Sequence, residues 1–337
     1  MTVPSERLAS QRLIGSEFKK PAEAVRWLGA IQGQDLASAV WSIGLRVPGI
    51  TEADVTRAFT EGDIVRTWTI RGTLHVVAGE DVRWMLALTA PANVQRTARR
   101  RRELALDDQT LAKSRKTLTK ALDKEHLTRE EVFAALERAG ISTEGQRGYH
   151  LLWDSAVHGI ICSGAPREKE PTFTLLDGWL PSTKAKSREE SVAELARRYL
   201  QSRAPATLKD FAWWSGLTLR EARSGFASLD STLTPTLSRK EKEIGFALPA
   251  FDEYLLGYPD RSAVLAARDV KRIFPGGGTF IPSLVLDGKI VGCWRRATLE
   301  FETFTRVNKK PLEEALQRYA HFTSAKAPPS RRARSAD

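Results

Sequence analysis

Gln32-Gly33-Gln34-Asp35 places two amides and a carboxylate at the junction of two apolar segments. Amides donate and accept hydrogen bonds without titrating, so such a pair orients water and ligand atoms and does not act as a strong base. Local chemistry leaves two readings open: the glutamines cap helix ends or face solvent, or they converge on one spot. Convergence requires Gly33 to break the helix, because residues two apart do not share a helical face. Asp35 reads as the cap of the following helix.

Other reactive residues are scattered. His75 sits in an alternating segment, where a satisfied core or edge histidine and a catalytic one are both open, and it counts with Arg66 and Arg71 among the candidate DNA-binding residues. Arg66 and Arg71, beside it, are placed to meet phosphate. Trp68, Trp213 and Trp214 either pack in the core or stack on bases. The run Arg99, Arg100, Arg101, Arg102 lies in a stretch, Val94 to Arg129, that holds 11 basic and 5 acidic residues. This local excess is over half of the net charge of +11, and it points to a polyanion held on one surface.

Several chemistries are excluded. Gly276-Gly277-Gly278 has no following Lys-Ser/Thr pair, so it is no phosphate-binding P-loop. Ser163-Gly164 and Ser215-Gly216 lack the frame of a nucleophile elbow. The two cysteines, Cys162 and Cys293, and five histidines are not in metal-ligand spacing, so neither a metal nor a cofactor is expected. An 18-residue apolar run and a secretory leader are both missing, which predicts a cytoplasmic, nucleoid-associated protein without a membrane partner.

The elements that must position these residues follow from periodicity. The 337 residues are 42% hydrophobic and 28% charged, enough for several cores. A helix is predicted from Pro21 to Ala30, with Ile31 on its apolar face and Gly33 ending it, and a second from Leu36 to Leu45. A capped helix follows from Val55 to Thr60, then a hairpin over Ile64–Val77 that turns at Arg71-Gly72. Glu80-Asp81 starts another helix. Thr128 and Glu131 make a capping box that opens a second unit, with a helix from Gln146 to His158 and a hairpin whose tip is the Pro166–Pro171 loop. A third unit carries a helix-turn-helix cadence across Leu208 to Phe226, with Gly216 in the turn. Short strands are predicted from 244 to 307, including Leu255–Tyr258 and a turn at Asp287-Gly288. The pattern predicts an α+β chain of three winged-helix modules, 1–124, 125–184 and 185–243, then a β-rich domain, 244–323, and a disordered basic tail, 324–337.

Four blocks carry a resemblance: AIQGQDLASAVWSIGLR, RTWTIRGTLHVV, LPAFDEYLLGYPDRS and IPSLVLDGKIVGCWRR. Their types and order resemble the bacterial AlkZ/YcaQ-like family of winged-helix DNA glycosylases over roughly Pro4 to Tyr319. The resemblance implies three tandem winged helices around a concave DNA-binding surface. It also implies excision of N-alkylated purines or unhooking of interstrand crosslinks by a glutamine, aliphatic residue, glutamine motif. Gln32 and Gln34 fall on the motif positions, and Gly33 departs from the aliphatic middle residue. A purine alkylated at N7 or N3 leaves as a good leaving group, so two amides that orient water and stabilise an oxocarbenium ion suffice. Without a motif lysine, a monofunctional enzyme is implied. A lesion-probing hairpin falls at Ser238–Phe246, which carries Arg239 and Lys240, or at the Pro275–Thr279 loop. The partner is double-stranded DNA, alkylated or crosslinked, and the chain is expected to act as a monomer. The competing reading is a non-catalytic winged-helix regulator.

Overall fold

Glycine 29, not Gly33, stops the first apolar helix. In the computed structural model, which describes residues 2–167, 170–180, 182–229 and 244–323, α1 (Val3–Ser10) is followed by α2 (Pro21–Leu28). Gly29 then takes a φ of +76°, which costs glycine little, and the chain leaves the helix. Ile31 and Gln32 therefore form a strand, β1 (Ile31–Gln32), instead of continuing the helical face predicted for them. Asp35 caps α3 (Leu36–Gly44) by accepting the Ser38 N–H at 3.2 Å. Thr51 and Asp54 close a reciprocal capping box at the start of α4 (Glu52–Thr60).

The predicted hairpin is present as β2 (Ile64–Trp68) and β3 (Leu74–Ala78), turning through Arg71 at φ +55° and Gly72 at φ +72°. These strands form an antiparallel sheet in the order β1-β3-β2. After the long α5 (Val82–Glu103) and α6 (Asp108–Ala121), the pattern repeats. Its parts are β4 (Leu127–Thr128), α7 (Arg129–Arg138), α8 (Arg147–Val157), β5 (Ile161–Ser163) and β6 (Thr172–Leu175), in the sheet order β4-β6-β5. Both units thus run helix, strand, helix, helix, strand, strand, with the first strand paired to the last.

Next come α9 (Leu176–Trp179), α10 (Arg188–Arg203), α11 (Leu208–Ser215) and α12 (Leu219–Ala227), with Gly216 at φ +71° in the predicted turn. Residues 230–243, most of the ribbon predicted at 238–246, and the tail 324–337 lie outside the described residues. The C-terminal portion holds β7 (Gly245–Leu248), α13 (Glu253–Leu256), α14 (Val270–Ile273), β8 (Ser283–Leu286), β9 (Lys289–Trp294) and β10 (Phe301–Thr303), sheet order β10-β9-β8-β7. Leu255 and Leu256, predicted as strand, lie in α13. Asp252 accepts the Tyr254 N–H at 2.9 Å and so nucleates a helical turn. The closing helix α15 (Lys310–Phe322) was not foreseen, although Pro311 in its first turn and apolar residues at 312, 315, 316 and 319 have helical spacing.

The central element is β3, buried along all five residues. Val76 belongs to a core that includes residues of α2, α3, β8 and α15, Val77 to one that includes residues of α10 and α11, and Leu74 to one that includes residues of α6, α7 and α8. The first unit thereby shares cores with every other part of the chain. Its union with the C-terminal sheet is reinforced by the Trp41 indole, which donates to the Ala247 carbonyl at 2.7 Å; within that sheet the Trp294 indole donates to the Leu248 carbonyl at 2.8 Å. Charge also enters this interior. Arg46 on the α3 exit and Asp252 form a bidentate pair at 2.9 Å, both side chains fully buried. Burial opposes ionisation of Asp252, yet Arg46, Ser42 and the Tyr254 amide hold its carboxyl below the ordinary 3.8.

Asp252→Ala leaves the Arg46 charge buried and unpaired, and the expected loss is about 3–5 kcal/mol of stability at pH 7 in urea unfolding. Because Asp252 ionises more readily folded than unfolded, the pair stabilises fully at neutral pH. Its contribution is lost as the pH falls below the ordinary aspartate value, so the difference between variant and wild type should shrink in strong acid.

Candidate active site

An extended backbone alternates its side chains between two faces, and β1 uses this to expose the amides. Ile31 is opposite Val76 and fully buried, while Gln32 is opposite His75 and half-buried. The pairing extends one residue further, because the Gly33 N–H donates to the Leu74 carbonyl at 2.8 Å. Gln34 follows, exposed, at the bend into α3. Neither carboxamide makes a hydrogen bond among the described residues; Gln32 is engaged only through its backbone N–H and Gln34 only through its backbone carbonyl. A helix break is present, as convergence of the two amides requires, but it falls at Gly29. Gly33 serves differently. A Cβ on it would meet the His75 and Val76 backbone at 3.2–3.4 Å, so an aliphatic middle residue would push β1 away from β3 by a few tenths of an ångström.

Two charged side chains hold this segment. Arg66 on β2 donates from Nε to the Gly33 carbonyl at 2.7 Å and from Nη2 to the Gln34 carbonyl at 3.4 Å. Burial, and then the charge of Arg129, pull its pKa down. The second is Glu253, which sequence reasoning missed. Its Oε1 accepts the Gln32 N–H at 3.2 Å, and its Oε2 accepts Arg203 at 2.6 Å and the Trp214 indole N–H at 3.1 Å. Arg203 and Glu253 are both buried, and Arg203 also donates to the Leu28 carbonyl at 2.8 Å, one residue before the break. The one available signal was an acidic pair, Asp252-Glu253, set in the apolar run LPAFDEYLLGY. Asp35 remains a cap that also meets Arg296 at 3.3 Å, and it is held below the usual carboxylate value by the Ser38 amide and Arg296 against burial.

Histidine 75 lies between Gln32 and Thr67 across the three strands. Its Nδ1 is 3.0 Å from the Thr73 carbonyl, an acceptor only, so Nδ1 carries the proton and Nε2 the lone pair. Burial lowers its pKa to about 4, against the favourable charge of Glu253, and the ring is neutral at physiological pH.

Of the remaining predicted residues, Arg71 donates to the Trp213 carbonyl at 3.2 Å from the hairpin tip. Asn93 on α5 donates to the Thr69 carbonyl at 2.6 Å, and the arginine run follows about two turns further along this helix. Arg99 and Arg100 pair with Glu103 at 2.9 and 3.0 Å, Arg101 pairs with Asp108 at 2.9 Å, and Arg102 is exposed. Trp68 and Trp214 are core residues with bonded indoles, whereas Trp213 is 40% exposed. Arg239 and Lys240 lie outside the described residues. Among the described residues no group of three or more His, Cys, Asp or Glu is placed to hold a metal, and no helix is long and apolar enough to cross a membrane.

Neutral His75 makes stability depend on pH in a defined window. The unfolded chain takes up the imidazole proton first, so the contribution is complete above about 6.5 and declines as the pH falls towards 4. The urea midpoint of the wild type should fall across that window, and His75→Asn should remove that part of the slope.

The family model described as DNA glycosylase AlkZ-like matches residues 25–322. The interstrand DNA cross-link repair glycosylase of Streptomyces sahachiroi is 24% identical over 334 aligned residues, covering 90% of each chain. The solved structure of Streptomyces sahachiroi DNA glycosylase AlkZ shares the fold with a TM-score of 0.80, covering 98% of both chains at 22% identity. With a match that spans most of its length, the chain belongs to the AlkZ-like family of DNA glycosylases, hydrolases that act on N-glycosyl bonds.

Proposed function

We propose that the protein is a monofunctional glycosylase that removes N-alkylated purines from duplex DNA, with Gln32 and Gln34 as its catalytic amides. The observation that carries this reading is the pair of unengaged carboxamides on a segment whose backbone is clamped by Glu253 and Arg66. A cationic N7- or N3-alkylpurine needs no protonation to depart. The site has to orient water and place partial negative charge near the developing oxocarbenium ion, and amide oxygens supply both without titrating. Because Arg66 donates to the motif carbonyls, we assign it to positioning, and we leave phosphate contact to Arg71 and to Arg99–Arg102. His75, neutral and buried, acts as a packing and hydrogen-bonding neighbour of Gln32 and not as an acid. The motif holds no lysine, which favours hydrolysis to an abasic site over lyase chemistry.

The repeated helix, strand, helix, helix, strand, strand order supports winged helices at the first two units, and α10 to α12 supply the helices of a third. Bulky or crosslinked adducts fit an open surface better than a deep flipping pocket, and the relative named for cross-link repair favours them as substrates here too. We place one chain on one lesion, as a monomer.

Excision from a duplex carrying a single N7-methylguanine, scored after alkaline cleavage, tests the reading. Gln32→Ala and Gln34→Ala should each lower the single-turnover rate about 10²- to 10³-fold, with affinity for undamaged duplex kept within about twofold. A wild type that releases neither this base nor a crosslinked one would sink the substrate assignment, and unchanged rates in the variants would sink the two amides.

A further inference from the structure

Trp213 stands beside the candidate site with an environment that the reaction does not account for. It is one of few large apolar side chains exposed among the described residues, and its neighbour Trp214 is buried against Glu253. Two guanidiniums face its ring, Arg71 with 4.9 Å and Arg261 with 5.8 Å to the centroid. Arg96 reaches the same turn, 3.4 Å from where a Cβ on Gly216 would lie, and Arg71 is closer still at 2.9 Å. Glycine at 216 is thus what lets both arginines crowd the end of α11. None of Arg71, Arg96 and Arg261 forms an ion pair among the described residues. Burial is the main reason that the charges of Arg71 and Arg261 are disfavoured; Arg96 repels Arg71 and Arg71 repels Arg261, while the charge of Glu253 favours the first and that of Asp260 the second.

The Trp213 carbonyl accepts from Arg71 at the end of α11, and the charges of Glu253 and Asp260 offset part of this repulsion, but no carboxylate is within ion-pair distance of any of the three cations among the described residues. An exposed indole amid unpaired guanidiniums calls for a ligand with both a π face and closely spaced negative charge. A nucleobase with its own phosphates has both, and an acidic peptide lacks the face.

We propose that Trp213 is a stacking platform for an unpaired nucleobase of the damaged DNA, with Arg71 and Arg261 holding the flanking phosphates. The inference rests on the DNA glycosylase reading for its ligand. Trp213 adjoins Trp214 in the chain, whose buried indole donates to Glu253, which in turn accepts the Gln32 N–H, so the platform and the amide segment are held by one framework. On this proposal a base left without its partner at the lesion stacks on Trp213.

Fluorescence anisotropy with two labelled duplexes, one intact and one with a tetrahydrofuran abasic analogue, tests this. Trp213→Ala should weaken binding to the abasic duplex about 5- to 150-fold, the range that loss of one stacked base produces, and intact duplex by less than about twofold. Trp213→Phe should retain most of the preference. Arg71→Gln with Arg261→Gln should weaken both duplexes and reduce the salt slope by about 2. The ratio of the two affinities is the readout, because it is unaffected by any fraction of unfolded variant. An unchanged ratio in Trp213→Ala overturns the platform, as does an equal loss on both duplexes. Excision by the wild type, measured in parallel, separates the two ideas: excision with an unchanged ratio overturns only the platform.

Discussion

The Glu253–Arg203 pair is the interaction on which the site depends. It joins the C-terminal portion to α10 and reaches the chain on both sides of the Gly29 break, through the Leu28 carbonyl and the Gln32 N–H. A two-residue strand pairs only along its one neighbour and gains little from that ladder alone. Here β1 is pinned by a charged hydrogen bond from a residue more than 200 positions away, in an interior where an unpaired charge is costly. Losing either partner would free the motif at the point where orientation matters.

The adjacent pair, Arg46 with Asp252, performs the same service one residue earlier, and Gln11 bridges the two by donating to the Glu253 carbonyl and accepting from Arg46. Successive acids thus anchor the C-terminal portion to two parts of the chain, Asp252 to the exit of α3 and Glu253 to α10. The result is a set of buried ion pairs under a candidate site whose groups, two amides and a neutral imidazole, do not titrate near neutrality. Such a site suits a leaving group that already carries positive charge, because preorganised dipoles then do what an acid would otherwise have to do.

Much of the local structure was legible in the residues. Caps at Asp35, Thr51 and Thr128 start helices where the sequence places them, since a side-chain oxygen satisfies the first free N–H groups whatever the tertiary context. The Arg71-Gly72 hairpin and the Asp287-Gly288 turn were equally plain. Two errors had one cause. The stretch to Ile31 has helical spacing and Leu255–Tyr258 looks like strand, but a glycine at positive φ ended the first and a buried capping aspartate curled the second. Periodicity reports which face is apolar, not which backbone competes best for its hydrogen bonds.

The sequence by itself determined most of the secondary elements, the local excess of basic charge, the family resemblance and the position of the two glutamines, because each of these is written in residue types a few positions apart. Tertiary structure alone decided that β1 is extended, that Arg66 binds backbone carbonyls, that His75 is neutral and that Glu253 accepts the Gln32 N–H. It also divided Trp213 from Trp214, one exposed and one buried. All of these depend on which groups meet after the chain has folded back over two hundred residues. Burial and long-range hydrogen bonding then set the charge and orientation of side chains whose local sequence is silent about both.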